Sequence, residues 1–151
     1  MVPGQRRELP AGNPYRGLLP FEAEHEGLFF ARDAEVRAVL DRVAASPVVV
    51  VCGDSGVGKS SLCRAGVLPR APDRLSGGLT WSTVTVVPGR QPVAALASAL
   101  AAHLGVRGED LSAALLDGPR SFARRVMEGL GQGKGLLLFV DQLEEILTQA
   151  D

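Results

Sequence analysis

The fold is decided by the stretch GDSGVGKSS, which occupies residues 53–61. It fits the pattern G-x-x-x-x-G-K-S/T and lies between a run of four valines, residues 48–51, and a segment of helical character, residues 59–68. A β-branched run that is apolar on both faces is typical of a strand inside a parallel sheet covered on two sides. We therefore predict a strand, a glycine-rich turn and a helix in this order, which favours an α/β fold.

Each residue type in this turn suits the binding of a phosphate group. Glycines let successive backbone N–H groups point at one anion, and the positive end of the helix dipole is directed to the same place. Lys59, one of only two lysines among the 16 basic residues, supplies a point charge for the β- and γ-phosphates of a nucleotide, and the Ser60 hydroxyl is a suitable ligand for Mg²⁺. The candidate nucleotide-binding residues of the turn are Gly53, Asp54, Ser55, Gly56, Val57, Gly58, Lys59, Ser60 and Ser61.

A second motif is the apolar run at residues 136–140, which ends at the carboxylate of Asp141. Ligands of open α/β sheets bind at the carboxyl ends of the strands, so we expect Asp141 to converge with the glycine-rich turn and to hold Mg²⁺ through water. Without the turn, an Asp at this position would be better explained as a helix cap.

The residues after Asp141 are candidates for activating water. Gln142 can orient a water molecule but cannot accept its proton at neutral pH, which leaves Glu144 and Glu145 as possible catalytic bases. Lys59, through its charge on the phosphates, is the third candidate catalytic residue. Two acids near the start of a helix are equally well explained by the helix dipole. The sequence therefore leaves both interpretations open.

Hydrophobic periodicity predicts alternating helices and strands in the rest of the chain. Asp33 is expected to cap a helix that ends near Ser46, since apolar residues recur there at i, i+3, i+4 and i+7. Further predicted elements are a loop at 71–78, strand 80–87, helices at 93–104, 111–116 and 122–130, strand 136–140 and a helix at 143–149. This order predicts parallel strands with helices on both faces of the sheet.

Composition excludes several classes of protein. The 151 residues are 46% hydrophobic and 22% charged, with a net charge of −1, as in one ordinary soluble domain without a basic field for nucleic acid. Apolar runs reach only five residues and the N-terminus has no secretion signal, so we expect a cytoplasmic protein with no membrane span. Cys52 and Cys63 do not have the spacing of a zinc site and are expected to be small core residues.

Several longer stretches resemble one family. They are NPYRGL at residues 13–18, FFARDAE at 29–35, SLCRAGVLP at 61–69, VPG at 87–89 and VDQLEE at 140–145. Together with the glycine-rich turn, they make the chain similar to the novel STAND NTPase 1 family over about residues 13–148. The turn and the Asp strand are shared by all P-loop NTPases, whereas the other stretches are more particular to this family.

The resemblance implies a three-layer P-loop NTPase fold and a signal-transducing switch. In such a switch, ATP with Mg²⁺ drives closure and self-oligomerisation, slow hydrolysis to ADP resets the protein, and sensor and effector domains lie outside this chain. The prolines and glycines of residues 1–20 predict an extended arm. By the resemblance, residues 21–151 would be the N-terminal part of the nucleotide-binding domain, incomplete at its C-terminus.

The resemblance also implies a segment that holds the nucleotide base, which maps onto Phe30, Ala31 and Arg32. Ala31 stands where the family usually has glycine, and alanine is penalised there if the backbone needs a positive φ.

Two other functions use the same residues. One is a small-molecule kinase, although no arginine-rich lid follows the Asp strand. The other is an interaction module that binds nucleotide weakly or does not bind it.

Overall fold

The computed structural model describes residue 17, residues 19–75 and residues 77–148. The chain divides into two compact units, Met1–Leu75 and Ser76–Asp151, and each is described by itself. Most of the predicted N-terminal arm, residues 1–20, and the end of the predicted last helix lie outside the described residues.

The first unit is helical in its described part. It contains a 3-10 helix, Ala23–Leu28, helix α1, Asp33–Ala45, helix α2, Lys59–Ser61, which continues as a π-helical segment, Leu62–Val67, and helix α3, Ala71–Arg74. The helices predicted at Asp33 and over residues 59–68 are therefore confirmed. Asp33, however, is the first residue of α1, and the cap position belongs to Arg32, which makes no side-chain capping hydrogen bond. The predicted loop at 71–78 is corrected by α3, whose second residue is a proline, a position at which the missing N–H costs no helix hydrogen bond.

The core of the first unit forms where α1 packs against the π-helical segment. Val36 and Leu40 of α1 are buried one turn apart on the same face. A Cβ atom at Gly66 would lie 2.6 Å from Val36 Cγ2 and 3.1 Å from Phe29 Cε1. Only glycine therefore allows the two elements to approach this closely.

The structure contradicts the predicted buried strand at residues 48–51, where no strand is formed. Val48 and Val50 are 75% and 68% exposed. A strand exists only when its N–H and C=O groups pair with a neighbour, and the described residues of the first unit contain no second strand. Cys52, at the end of this run, is consequently exposed, so the prediction that both cysteines are core residues holds for Cys63 alone.

The second unit is a layer of helices on a two-stranded parallel sheet. Its elements are β1, Thr80–Val86, α4, Pro92–Leu104, α5, Gly108–Asp117, α6, Pro119–Leu130, β2, Lys134–Val140, and α7, Glu145–Thr148. The register runs from Thr80 opposite Lys134 to Val86 opposite Val140. The parallel pairing that the sequence predicted is thus confirmed, and α4 to α6 provide the long crossover that it requires.

The core of the second unit lies between β1 and the three crossover helices. Val84 and Val86 alternate toward this core along β1, as the period of a strand dictates, and they meet Leu100 of α4 and Leu111 of α5. Pro92 begins α4 and Gly105, at φ 67°, ends it, which sets the length of the helix that covers the sheet.

The sheet begins at a close contact between its two strands. A Cβ atom at Gly135 of β2 would lie 2.6 Å from the ring of Trp81, the residue opposite it on β1. The indole ring therefore occupies the space that a side chain at position 135 would need.

Of the helices in the described part of the chain, none combines the length and apolar character that spanning a membrane requires.

Candidate functional site

The glycine-rich turn of the first unit has the backbone that its sequence predicts. Gly56 and Gly58 have φ values of 81° and 84°, in the left-handed region that favours glycine. The Val57 N–H points back to the Asp54 carbonyl at 3.5 Å, and residues 53–57 are exposed. Gly58 directly precedes α2 and accepts the N–H of Leu62 at 2.9 Å, so the turn leads straight into a helix N-terminus.

The ammonium group of Lys59 lies over this turn. Its Nζ atom donates to the Gly53 carbonyl at 2.9 Å and to the Asp54 carbonyl at 2.9 Å. A positive charge is thus held within the loop, next to backbone groups that a helix N-terminus already makes electropositive. Ser60 is half-buried in the first turn of α2.

Arg32 also reaches the turn. Its Nη1 atom donates to the Val57 carbonyl at 2.8 Å, and its Nε atom donates to Glu35 Oε1 at 3.2 Å. The pKa of Glu35 lies below its ordinary value because the carboxylate accepts a backbone hydrogen bond and then the one from Arg32. Sequence reasoning missed Glu35, although the i, i+3 spacing of opposite charges on a helix could have indicated the pair.

The other residues of the segment that the resemblance assigns to the base behave differently. Phe30 is 72% exposed, and Ala31 has a φ of 66°. The backbone at Ala31 therefore adopts the left-handed conformation in which the family's usual glycine carries no penalty. The structure brings Arg32 to the turn and leaves the Phe30 ring in solvent.

Residues 21–28 are held to residues 61–70, which follow the turn, by hydrogen bonds and ion pairs whose partners could not be predicted from the sequence. The Phe21 N–H donates to Ser61 Oγ at 3.0 Å, and Arg64 Nη1 donates to Glu22 Oε1 at 2.6 Å. Arg70 pairs with Glu26, from this segment, at 3.3 Å, and with Asp33 of α1 at 2.9 Å. Ser61, predicted as a nucleotide-binding residue, thus has a backbone partner within its own unit.

In the second unit, Asp141 directly follows β2, as predicted. It is 6% exposed, its N–H donates to the Val86 carbonyl at 2.8 Å, and its Oδ1 atom accepts the N–H of Gln142 at 3.0 Å. Gln142 has a φ of 57°, which is uncommon for a residue other than glycine. The chain therefore turns sharply directly after the carboxylate.

The two glutamates differ in their exposure, since Glu145 is half-buried. Glu145 Oε2 accepts the N–H of Gly89 at 3.1 Å, which connects the start of α7 to the turn that follows β1. The Glu144 side chain is exposed. The role of Gly89 was not foreseen, because the VPG stretch gave no sign of its partner.

The turn of the first unit has residues that are compatible with a nucleotide, and the second unit has a carboxylate that is compatible with a metal ion. The turn offers glycine backbone, an ammonium and a helix N-terminus, and Asp141 offers a buried carboxylate. Among the described residues, no group of three or more His, Cys, Asp or Glu side chains is arranged to hold a metal ion. A nucleotide-borne Mg²⁺ needs fewer protein ligands, because it keeps several waters and phosphate oxygens.

Comparison with protein families gives one result. The family model described as Novel STAND NTPase 1 matches residues 14–151, nearly the whole chain, in agreement with the resemblance derived from the motifs. Comparisons with curated proteins and with solved structures gave no match. With this match, a lysine-bearing glycine turn and an Asp-ended parallel strand, the chain belongs to the Novel STAND NTPase 1 family.

Proposed function

We propose that the chain is an ATP-binding, Mg²⁺-dependent module of a STAND-type switch that hydrolyses ATP slowly. The observation that carries this proposal is the turn at residues 53–61, with two left-handed glycines and the Lys59 ammonium over its carbonyls. Backbone N–H groups, a helix N-terminus and a point charge together suit a polyphosphate tail. Family membership supports the same class of function.

Within this proposal, residues 53–61 hold the phosphates, and Lys59 neutralises charge on the β- and γ-phosphates. Ser60 and Asp141 are the proposed ligands of Mg²⁺, directly and through water, and the ion would supply charge neutralisation when bound. The proposal includes a three-layer P-loop fold. It also includes an arrangement in which Asp141 lies near the turn. Phe30 is the proposed contact of the base, and Arg32 is the second candidate that the resemblance implies for this role.

For hydrolysis, the general base is proposed among Glu144 and Glu145. The Glu145 carboxylate also accepts the Gly89 N–H, so a role for it in catalysis would have to be compatible with that contact. The switch is proposed to self-oligomerise in the ATP state and to act through sensor and effector domains outside this chain, in the cytoplasm.

The experiment is a calorimetric titration of the chain with ATP in the presence of Mg²⁺. Lys59→Ala should weaken binding by roughly 10- to 100-fold, since hydrogen bonds to a charged group are worth roughly 1.5–3 kcal/mol. Lys134→Ala is the matched control, because it removes the only other lysine, an exposed residue of β2. Equal affinity of the two variants for ATP would refute the proposal.

The metal and the reaction need separate measurements. EDTA should lower ATP affinity in the wild type, and Asp141→Asn should reduce that difference if the carboxylate holds the ion. Release of inorganic phosphate should continue slowly without a second substrate, whereas transfer of phosphate to a metabolite would indicate the kinase alternative.

A further inference from the structure

The carbonyl of Val57 lies between the two left-handed glycines of the turn, and it accepts a hydrogen bond from a positively charged side chain. Arg32 Nη1 donates to it at 2.8 Å. Because a trans peptide group directs its C=O and its N–H to opposite sides, the N–H of Gly58 points away from the guanidinium. The bond to Arg32 thus fixes the direction of one N–H group of the phosphate-binding turn.

The orientation of this peptide matters for an anion. A turn binds phosphate only while its N–H groups, and not its carbonyl oxygens, face the ligand. If the Val57–Gly58 peptide rotated, a carbonyl dipole would replace an N–H and repel the anion. A charge-assisted hydrogen bond from Arg32 opposes that rotation, since such bonds are stronger than bonds between neutral groups.

Three further features hold the guanidinium in place. Glu35 accepts its Nε at 3.2 Å, and the left-handed Ala31 directs the chain into α1 directly before Arg32. At Gly58, a Cβ atom would lie 3.3 Å from Arg32 Nη1, which is closer than ordinary contact. Glycine at this position therefore allows both the left-handed backbone conformation and the close approach of Arg32.

We propose that Arg32 is a positioning residue that holds the Val57–Gly58 peptide in its phosphate-binding orientation, rather than a residue that mainly contacts the base. This inference rests on the proposed function, because it assigns Arg32 a role in the same site. It also separates two roles that can be measured. A base contact acts only on ligands that carry a base, whereas a fixed turn acts on every polyphosphate.

The test compares two probes, ATP with Mg²⁺ and tripolyphosphate with Mg²⁺. Arg32→Ala should weaken binding of both probes by the same factor, about 10-fold, which is the loss expected for one hydrogen bond from a charged group. Arg32→Lys should recover part of this loss, since a single ammonium can still donate to the Val57 carbonyl. Arg37→Ala, which changes an exposed arginine of α1, the helix that follows Arg32, should bind both probes as the wild type does.

Two outcomes would overturn the inference. Weaker binding of ATP with unchanged binding of tripolyphosphate would assign Arg32 to the base, and unchanged binding of both would leave it no role in the site. Glu35→Gln, which removes the orienting carboxylate and keeps Arg32, should shift both probes in the same direction by a smaller factor.

A measurement without ligand distinguishes failure of this inference from failure of the proposed function. Amide hydrogen exchange of residues 53–61 should be faster in Arg32→Ala than in the wild type and Arg37→Ala, because the peptide is no longer held. If the wild type bound neither probe, the proposed function would fail, while faster exchange would still support the positioning role. Unchanged exchange would overturn that role whatever the binding data showed.

Discussion

The glycine-rich turn of the first unit and the segment after β2 in the second unit reach similar backbone conformations by different means. In the turn, left-handed φ values fall on Gly56 and Gly58, where they are accessible without a steric penalty. After β2, the left-handed residue is Gln142, and the neighbouring Glu145 is tied to the turn that follows β1. The φ values of the turn are encoded by its own glycines, although Arg32 contacts it from outside, whereas the segment after β2 is held by Glu145 through a residue that is distant along the chain.

The largest effect is expected from Gly58→Ala, which attacks the locally encoded region. A left-handed alanine costs roughly 1–2 kcal/mol, and the new Cβ would lie 3.3 Å from Arg32 Nη1. We expect a loss of stability of about 2 kcal/mol in chemical unfolding and a loss of ATP affinity of about 10-fold, which corresponds to about 1.4 kcal/mol.

The matched control for this variant is Gly78→Ala. Gly78 has a φ of 81°, nearly the same as Gly58, and nothing lies within 4 Å of a Cβ placed there. Both variants should lose stability through backbone strain, but only Gly58→Ala should weaken ATP binding. Equal ATP affinity in the two variants would mean that the conformation of the turn does not control the ligand.

An intermediate effect is expected at Glu145, which tests the region that depends on distant contacts. Glu145→Ala removes the acceptor of the Gly89 N–H and should lower the free energy of unfolding by about 1 kcal/mol. Glu145→Gln keeps a carbonyl oxygen at the same place and should retain most of that stability.

Phosphate release by the same two variants separates the roles of Glu145. If Glu145 were the general base, alanine and glutamine would abolish release equally, since neither accepts a proton. If it holds the Gly89 turn, glutamine should retain most of the activity and alanine should lose more. Similar, complete losses would therefore move Glu145 into the chemistry.

The same division explains which features the sequence could predict. The turn, the helix after Asp33 and the parallel strand that ends at Asp141 each follow from spacing or periodicity over a few residues, and the structure contains them. The strand at residues 48–51 failed because pairing is a property of two segments, and the valines alone could not specify a partner.

The contacts of single side chains were hidden for a related reason. The Arg32 bond to Val57 joins residues 25 positions apart, and the Glu145 bond to Gly89 joins residues 56 positions apart. No local period encodes such pairs. They become visible only when the elements that carry them are packed.

The smallest effect tests whether a left-handed residue other than glycine is imposed by its surroundings. Ala31, at φ 66°, carries a penalty of roughly 1–2 kcal/mol that glycine avoids, while glycine loses roughly 0.5–1 kcal/mol of chain entropy. Ala31→Gly should therefore stabilise the chain by about 0.5–1 kcal/mol. Ala38→Gly, at an exposed position in the middle of α1, should destabilise it by a similar amount, since helix interiors disfavour glycine. A melting temperature that falls in both variants would show that Ala31 is not strained. The left-handed conformation before α1 would then be intrinsic to its own residues, as it is at the glycines of the turn.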